Sequence, residues 1–127
     1  MHREPIHVLQ AVREDFEAKY EGVTTEITDT LAEDRTKIRM SLYFYYEGTP
    51  YYLYQLAYFD QPIGVENPYG FEVFGFQNPP QMVGMAENDE ALESHLRSIF
   101  FSDRTQRILR QLQTIAEISG GDERRQA

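Results

Sequence analysis

The chain has 127 residues, 41% of them hydrophobic and 13% aromatic, and a formal net charge of −9. That size and composition suit one domain with a packed core and exclude general disorder. An acidic chain repels phosphate backbones, which argues against general nucleic-acid binding. Without cysteine there is no disulfide, thiolate zinc site or thiol nucleophile. No apolar run approaches a membrane span and no charged-then-apolar leader opens the chain, so a cytoplasmic protein away from membranes is expected.

Residues 5–20 predict an amphipathic helix. Pro5 suits the first helical position, and Ile6, Val8, Leu9, Val12, Phe16 and Tyr20 fall on one arc at 3.6 periodicity. His7, Glu14 and Glu17 lie away from that arc, and Gly22 is a natural stop. Val23 to Thr30 is β-branched and Thr-rich, and predicts an edge strand with Val23, Thr25 and Ile27 facing inward.

The stretch from Lys37 to Phe59 is the clearest signal. Two aromatic-rich arms flank Glu47-Gly48-Thr49-Pro50, which predicts a hairpin. Alternation sorts Ile38, Met40, Leu42, Phe44 and Tyr46 onto one face of the first arm. Lys37, Arg39, Ser41, Tyr43 and Tyr45 fall on the other. In the second arm it sorts Tyr51, Leu53, Gln55, Ala57 and Phe59 with the core, against Tyr52, Tyr54, Leu56 and Tyr58. A two-residue turn would pair Phe44 with Tyr51 and a four-residue turn would pair it with Leu53; either register gives the same faces.

An eleven-residue connection follows from Asp60 to Gly70, long for a hairpin loop and stiffened by Pro62, Pro68 and Tyr69. Phe71 to Gln77 predicts a strand apolar on both faces, with Phe71 and Val73 opposite Phe74 and Phe76. Asn78-Pro79-Pro80 ends it, and Gln81 to Ala86 predicts a short fifth strand. A helix then starts at Asn88 or Asp89, with a stripe of Leu92, His95, Leu96, Ile99 and Phe100. A second is capped by Ser102 or Asp103, with Gln106 placed to close a capping box. Gly120-Gly121 is expected to end it. The architecture expected is one α+β domain over residues 1–119. It comprises an antiparallel four- to five-stranded meander sheet with an N-terminal helix and two C-terminal helices, and a disordered tail at 120–127.

Catalytic signals are thin, so no catalytic residue, cofactor or metal site is assigned. His2, His7 and His95 have no second ligand at metal spacing, and His95 reads as a hydrogen-bonded histidine at the core edge. Glu87, Asp89, Glu90 and Glu93 read as a solvated helix start rather than a calcium loop. There is no phosphate-cradling glycine motif and no nucleophile elbow.

The tyrosine face carries more. Tyrosine can be simply a strand former, but it also buries a large area at low entropic cost and keeps a polar handle, which suits protein contacts. The expectation is a non-enzymatic interaction module, adaptor-, chaperone- or inhibitor-like. Its contact residues would be Tyr43, Tyr45, Tyr52, Tyr54, Tyr58 and Arg39 on the sheet, with Pro62 and Tyr69 in the long loop. A homodimer is the simplest form. Residues 1–36 hold nine acidic against four basic residues, so a basic protein is the other natural partner. The alternative is a small-ligand-binding domain or an enzyme, with a small apolar pocket at the sheet end, on the inner face near Gln55 and Phe74 if the sheet curls around the helix.

Overall fold

The computed structural model describes residues 4–31, 35–75 and 81–126, apart from the side chains of residues 50–52 and 120–126. Phe76, Asn78, Pro79, Pro80 and the side chain of Tyr52, all used in the sequence reading, lie outside the described residues. The order is α1 (Pro5–Lys19), β1 (Val23–Leu31), β2 (Lys37–Tyr46), β3 (Thr49–Pro62), β4 (Phe71–Gly75), β5 (Gln81–Ala86), α2 (Asp89–Phe100) and α3 (Asp103–Gln126). The strands form one antiparallel sheet in sequence order, each paired with its neighbours in the chain. This is the expected α+β meander, with five strands.

The three helices share one face of the sheet. Their apolar stripes meet the inward side chains of the strands, so the core is a single layer between helices and sheet. Phe16 of α1 stands at its centre. Its ring centroid lies 5.7 Å from Phe44 on β2, 5.2 Å from Phe100 on α2 and 5.1 Å from Tyr20, in edge-on or tilted contacts. Each such buried ring contributes about 1.5–3 kcal/mol by leaving water, before any ring–ring term.

Helix ends follow the local chemistry. Asn88 caps α2 by accepting a hydrogen bond from the Ala91 amide at 2.8 Å. At the α2–α3 corner Ser102 Oγ accepts from the Thr105 amide, and the buried Thr105 hydroxyl donates to the Ile99 carbonyl at 2.8 Å. Ser102 is therefore the cap. Gln106 reaches the Phe101 carbonyl instead of closing a box on Asp103.

The C-terminal reading needs correction, because α3 runs through Gly120 and Gly121 to Gln126 instead of stopping there. A glycine costs a helix only about 1 kcal/mol relative to alanine, and the Asp-Glu-Arg-Arg-Gln that follows is tolerant of helix.

β3 also departs from expectation. The turn is the two-residue Glu47-Gly48, with Tyr46 opposite Thr49, yet Phe44 pairs with Tyr54. The ladder is irregular in two places, first between Tyr46 and Phe44, which carries this shift, and again between Tyr43 and Leu42. At the second, Leu56 is an extra residue beside Ala57, and both turn inward and are buried. The partition into faces holds from Ala57 onward and inverts for Tyr54, Gln55 and Leu56. Tyr54 now faces the helices beside Phe44, and Gln55 stands beside Tyr43 on the opposite face.

Two close approaches fix where the helices sit. A Cβ on Gly48, at the hairpin tip, would stand 2.5 Å from the Ala116 Cβ of α3. A Cβ on Gly84 of β5 would stand 2.5 Å from the His95 ring of α2.

Candidate functional site

With all helices on one side, the other sheet face has no helix over it among the described residues. Alternation puts Lys37, Arg39, Ser41, Tyr43 and Tyr45 of β2 there, with Gln55, Tyr58 and Asp60 of β3, Phe74 of β4 and Met82 of β5. Its centre is an ordered row across the strands. The Arg39 guanidinium lies 4.7 Å over the Tyr58 ring, which stacks on Phe74 with centroids 5.0 Å apart and planes 12° from parallel. Met82, half exposed, is the residue opposite Phe74. Arg39 also forks onto Asp60, at 2.8 and 3.1 Å, so its charge is compensated while its flat face stays on the ring. Ser41 beneath this row is buried although it points away from the helices.

Of the eight expected contact residues, the structure gathers Arg39, Tyr43, Tyr45 and Tyr58 on this face. Pro62 is at its end, but not in a loop: it closes β3 opposite Lys37, so the free connection is residues 63–70. Two placements are corrected. Tyr54 lies on the helix side, its hydroxyl buried without a hydrogen-bond partner among the described residues. Tyr69 is only 6% exposed and stacks on Phe71, which stacks on Phe59, because the connection folds back under the sheet end. The expected inner pocket near Gln55 and Phe74 is corrected as well, since both residues face away from the helices.

Sequence reading missed Phe74, Met82 and Met85 as members of the open face. The signal was the two-sided apolarity of 71–74, which showed that something other than the core must meet Phe74.

A cleft of about 410 Å³ opens at the end of this face, lined by Lys37, Asp60, Pro62, Gly70, Phe71, Glu72, Phe74 and Met85. It lies where β3 and β4 part. Their ladder holds for three pairs only, Ala57–Gly75, Tyr58–Phe74 and Phe59–Val73. The same register, continued, would set Asp60 against Glu72 and Pro62 against Gly70. Two like charges directly opposite destabilise a pair, and proline has no amide to donate, so the strands separate there.

Other polar groups are structural. His95 lies against Gly84 with Nε2 2.8 Å from the Met85 carbonyl, tying α2 to the edge strand. Glu17 of α1 accepts hydrogen bonds from both the amide and the hydroxyl of Thr25 on edge strand β1. Burial of the Glu17 carboxyl works against its charge, but those bonds and nearby Arg13 outweigh it and hold its pKa below the ordinary glutamate value. Among the described residues no three His, Cys, Asp or Glu side chains gather as a metal site, and no helix is long and apolar enough to cross a membrane.

Comparison with protein-family models, curated proteins and solved structures finds no match.

Proposed function

We propose that this chain is a non-enzymatic protein-interaction module whose contact surface is the helix-free sheet face, a homodimer being its simplest form. The observation that carries this reading is the row Arg39–Tyr58–Phe74, a rigid aromatic strip left open on the face opposite the helices. Met82, 51% exposed, widens the apolar patch, and Tyr43 and Tyr45 extend it toward β1. Rings already stacked and held by a paired arginine lose little freedom on binding, which is what favours aromatic anchors at interfaces. The overall charge of −9 makes a basic protein the natural heterologous partner.

Light scattering across a hundredfold range of concentration tests the dimer, and affinity capture from cell extract tests the partner. A mass of twice 14.9 kDa, or a specific captured protein, supports the module when a Tyr58→Ser, Phe74→Ser variant abolishes it. A monomer at all concentrations that captures nothing lost in the variant refutes it.

A further inference from the structure

We infer that the cleft where β3 and β4 part is a binding site for a small zwitterion with an apolar arm, of the size of an aromatic amino acid. The inference does not rest on the open face being a protein interface, because the cleft is made by the separation of two strands.

Its walls have a definite chemistry. The floor is apolar, from Phe71, Phe74, Pro62 and the half-exposed Met85. The two banks carry opposite charge. On one bank, Lys37 stands on β2 opposite Pro62, with Asp60 beyond it already held by Arg39 in a two-point ion pair. On the other, Glu72 stands on β4 opposite Met85. Lys37 and Glu72 are both exposed, and no hydrogen bond or ion pair ties down either among the described residues. The charges left for a ligand are therefore one ammonium and one carboxylate, facing each other across an aromatic floor.

Backbone chemistry adds to this. Residues 60–62 of β3 are paired by β2 on one side and have no ladder partner on β4. The edge of β3 that turns toward the gap thus offers main-chain donors and acceptors to whatever enters. A ligand carboxylate would meet Lys37, its ammonium would meet Glu72, and its apolar arm would lie on Phe74 and Phe71. The volume, about 410 Å³, falls within the range of small-molecule sites. A purely anionic ligand would be repelled by Glu72, and a purely cationic one by Lys37.

Titration of the 15N-labelled protein with three probes tests the site: L-phenylalanine, N-acetyl-L-phenylalanine, which lacks the ammonium, and L-phenylalaninamide, which lacks the carboxylate. The expected result is saturable shifts of the Glu72, Phe74 and Met85 amides with L-phenylalanine, and binding about five- to tenfold weaker for either blocked probe. Lys37→Ala should erase the preference for L-phenylalanine over the amide, and Glu72→Gln the preference over the acetylated probe. Both positions are exposed, so the variants fold and their spectra report it. No shift at these amides with millimolar L-phenylalanine overturns the proposal. So does equal binding of all three probes, or preferences unchanged in both variants.

Discussion

Tyr54 packs edge-on against Phe44, ring centroids 5.7 Å apart, on the side of the sheet that meets the helices. Strict alternation along β3 places Tyr54 on the opposite face, and the contact exists because extra residues in β3 shift the register between the turn and Leu42. Its hydroxyl is buried without a hydrogen-bond partner among the described residues. Removing that oxygen while keeping the ring should therefore cost nothing. Tyr54→Phe is expected to match or exceed the parent in stability, by up to about 1 kcal/mol, whereas Tyr54→Ser, which empties the site, should lose about 3 kcal/mol. Urea denaturation of the two variants distinguishes this from an exposed tyrosine, for which both changes would be nearly silent.

The open face predicts the reverse pattern. Tyr58 and Phe74 stack on each other with helices on neither ring, so the Tyr58→Ser, Phe74→Ser variant should stay folded, losing about 1–2 kcal/mol. Its association, read by light scattering, should disappear. A variant that unfolds outright would mean that the strip holds the sheet together rather than serving as a surface.

Glu17 sets an acid limit on stability. Its pKa is depressed in the folded chain, so its contribution is present above the ordinary glutamate range, about 4.3, and is lost as pH falls through the lower folded value. Glu17→Gln keeps a side-chain oxygen for the Thr25 bonds but removes the titration. The variant should be less stable than the parent at pH 7, and the difference should shrink steadily below pH 4. A stability gap independent of pH would show that the charge of Glu17 is irrelevant.

Gly84 and His95 should behave as a coupled pair. Gly84→Ala forces the imidazole away and breaks its bond to the Met85 carbonyl, at an expected cost of about 1–3 kcal/mol. In a His95→Ala background the same glycine change should cost much less, because the atom it strikes is gone. A double-mutant cycle with a coupling energy near zero would contradict the contact.

Most of the fold was legible because its signals are periodic. The stripe through Val8, Val12 and Phe16, and the alternation of Met40, Leu42 and Phe44, each name one buried face, and the chain obeys them. β3 was not legible in the same way. From Tyr51 to Phe59 every position except Gln55 is apolar or aromatic, so either set of alternating residues suits a core, and a bulge that turns both Leu56 and Ala57 inward leaves no mark on the pattern. Half of the candidate contact residues inherited their correct face from β2 or from the regular part of β3. Tyr54 and Tyr69 did not, because their burial depends on a register shift and on a connection folding back, both tertiary events. The cleft was foreshadowed only by Pro62 and Gly70, whose meaning depends on the strand lying opposite.

The contact between Gly48 and Ala116 bears on how the chain reaches this state. The β2–β3 hairpin closes through neighbours in sequence, and hairpins form within about 1–10 μs. The half of α3 that grips the hairpin tip is made long afterwards in the chain and touches the sheet through a distant residue. Loop-closure entropy therefore favours an order in which the hairpin forms first and α3 closes over it last. The route back should run in reverse, with amides in the second half of α3 exchanging with solvent well before those of β2.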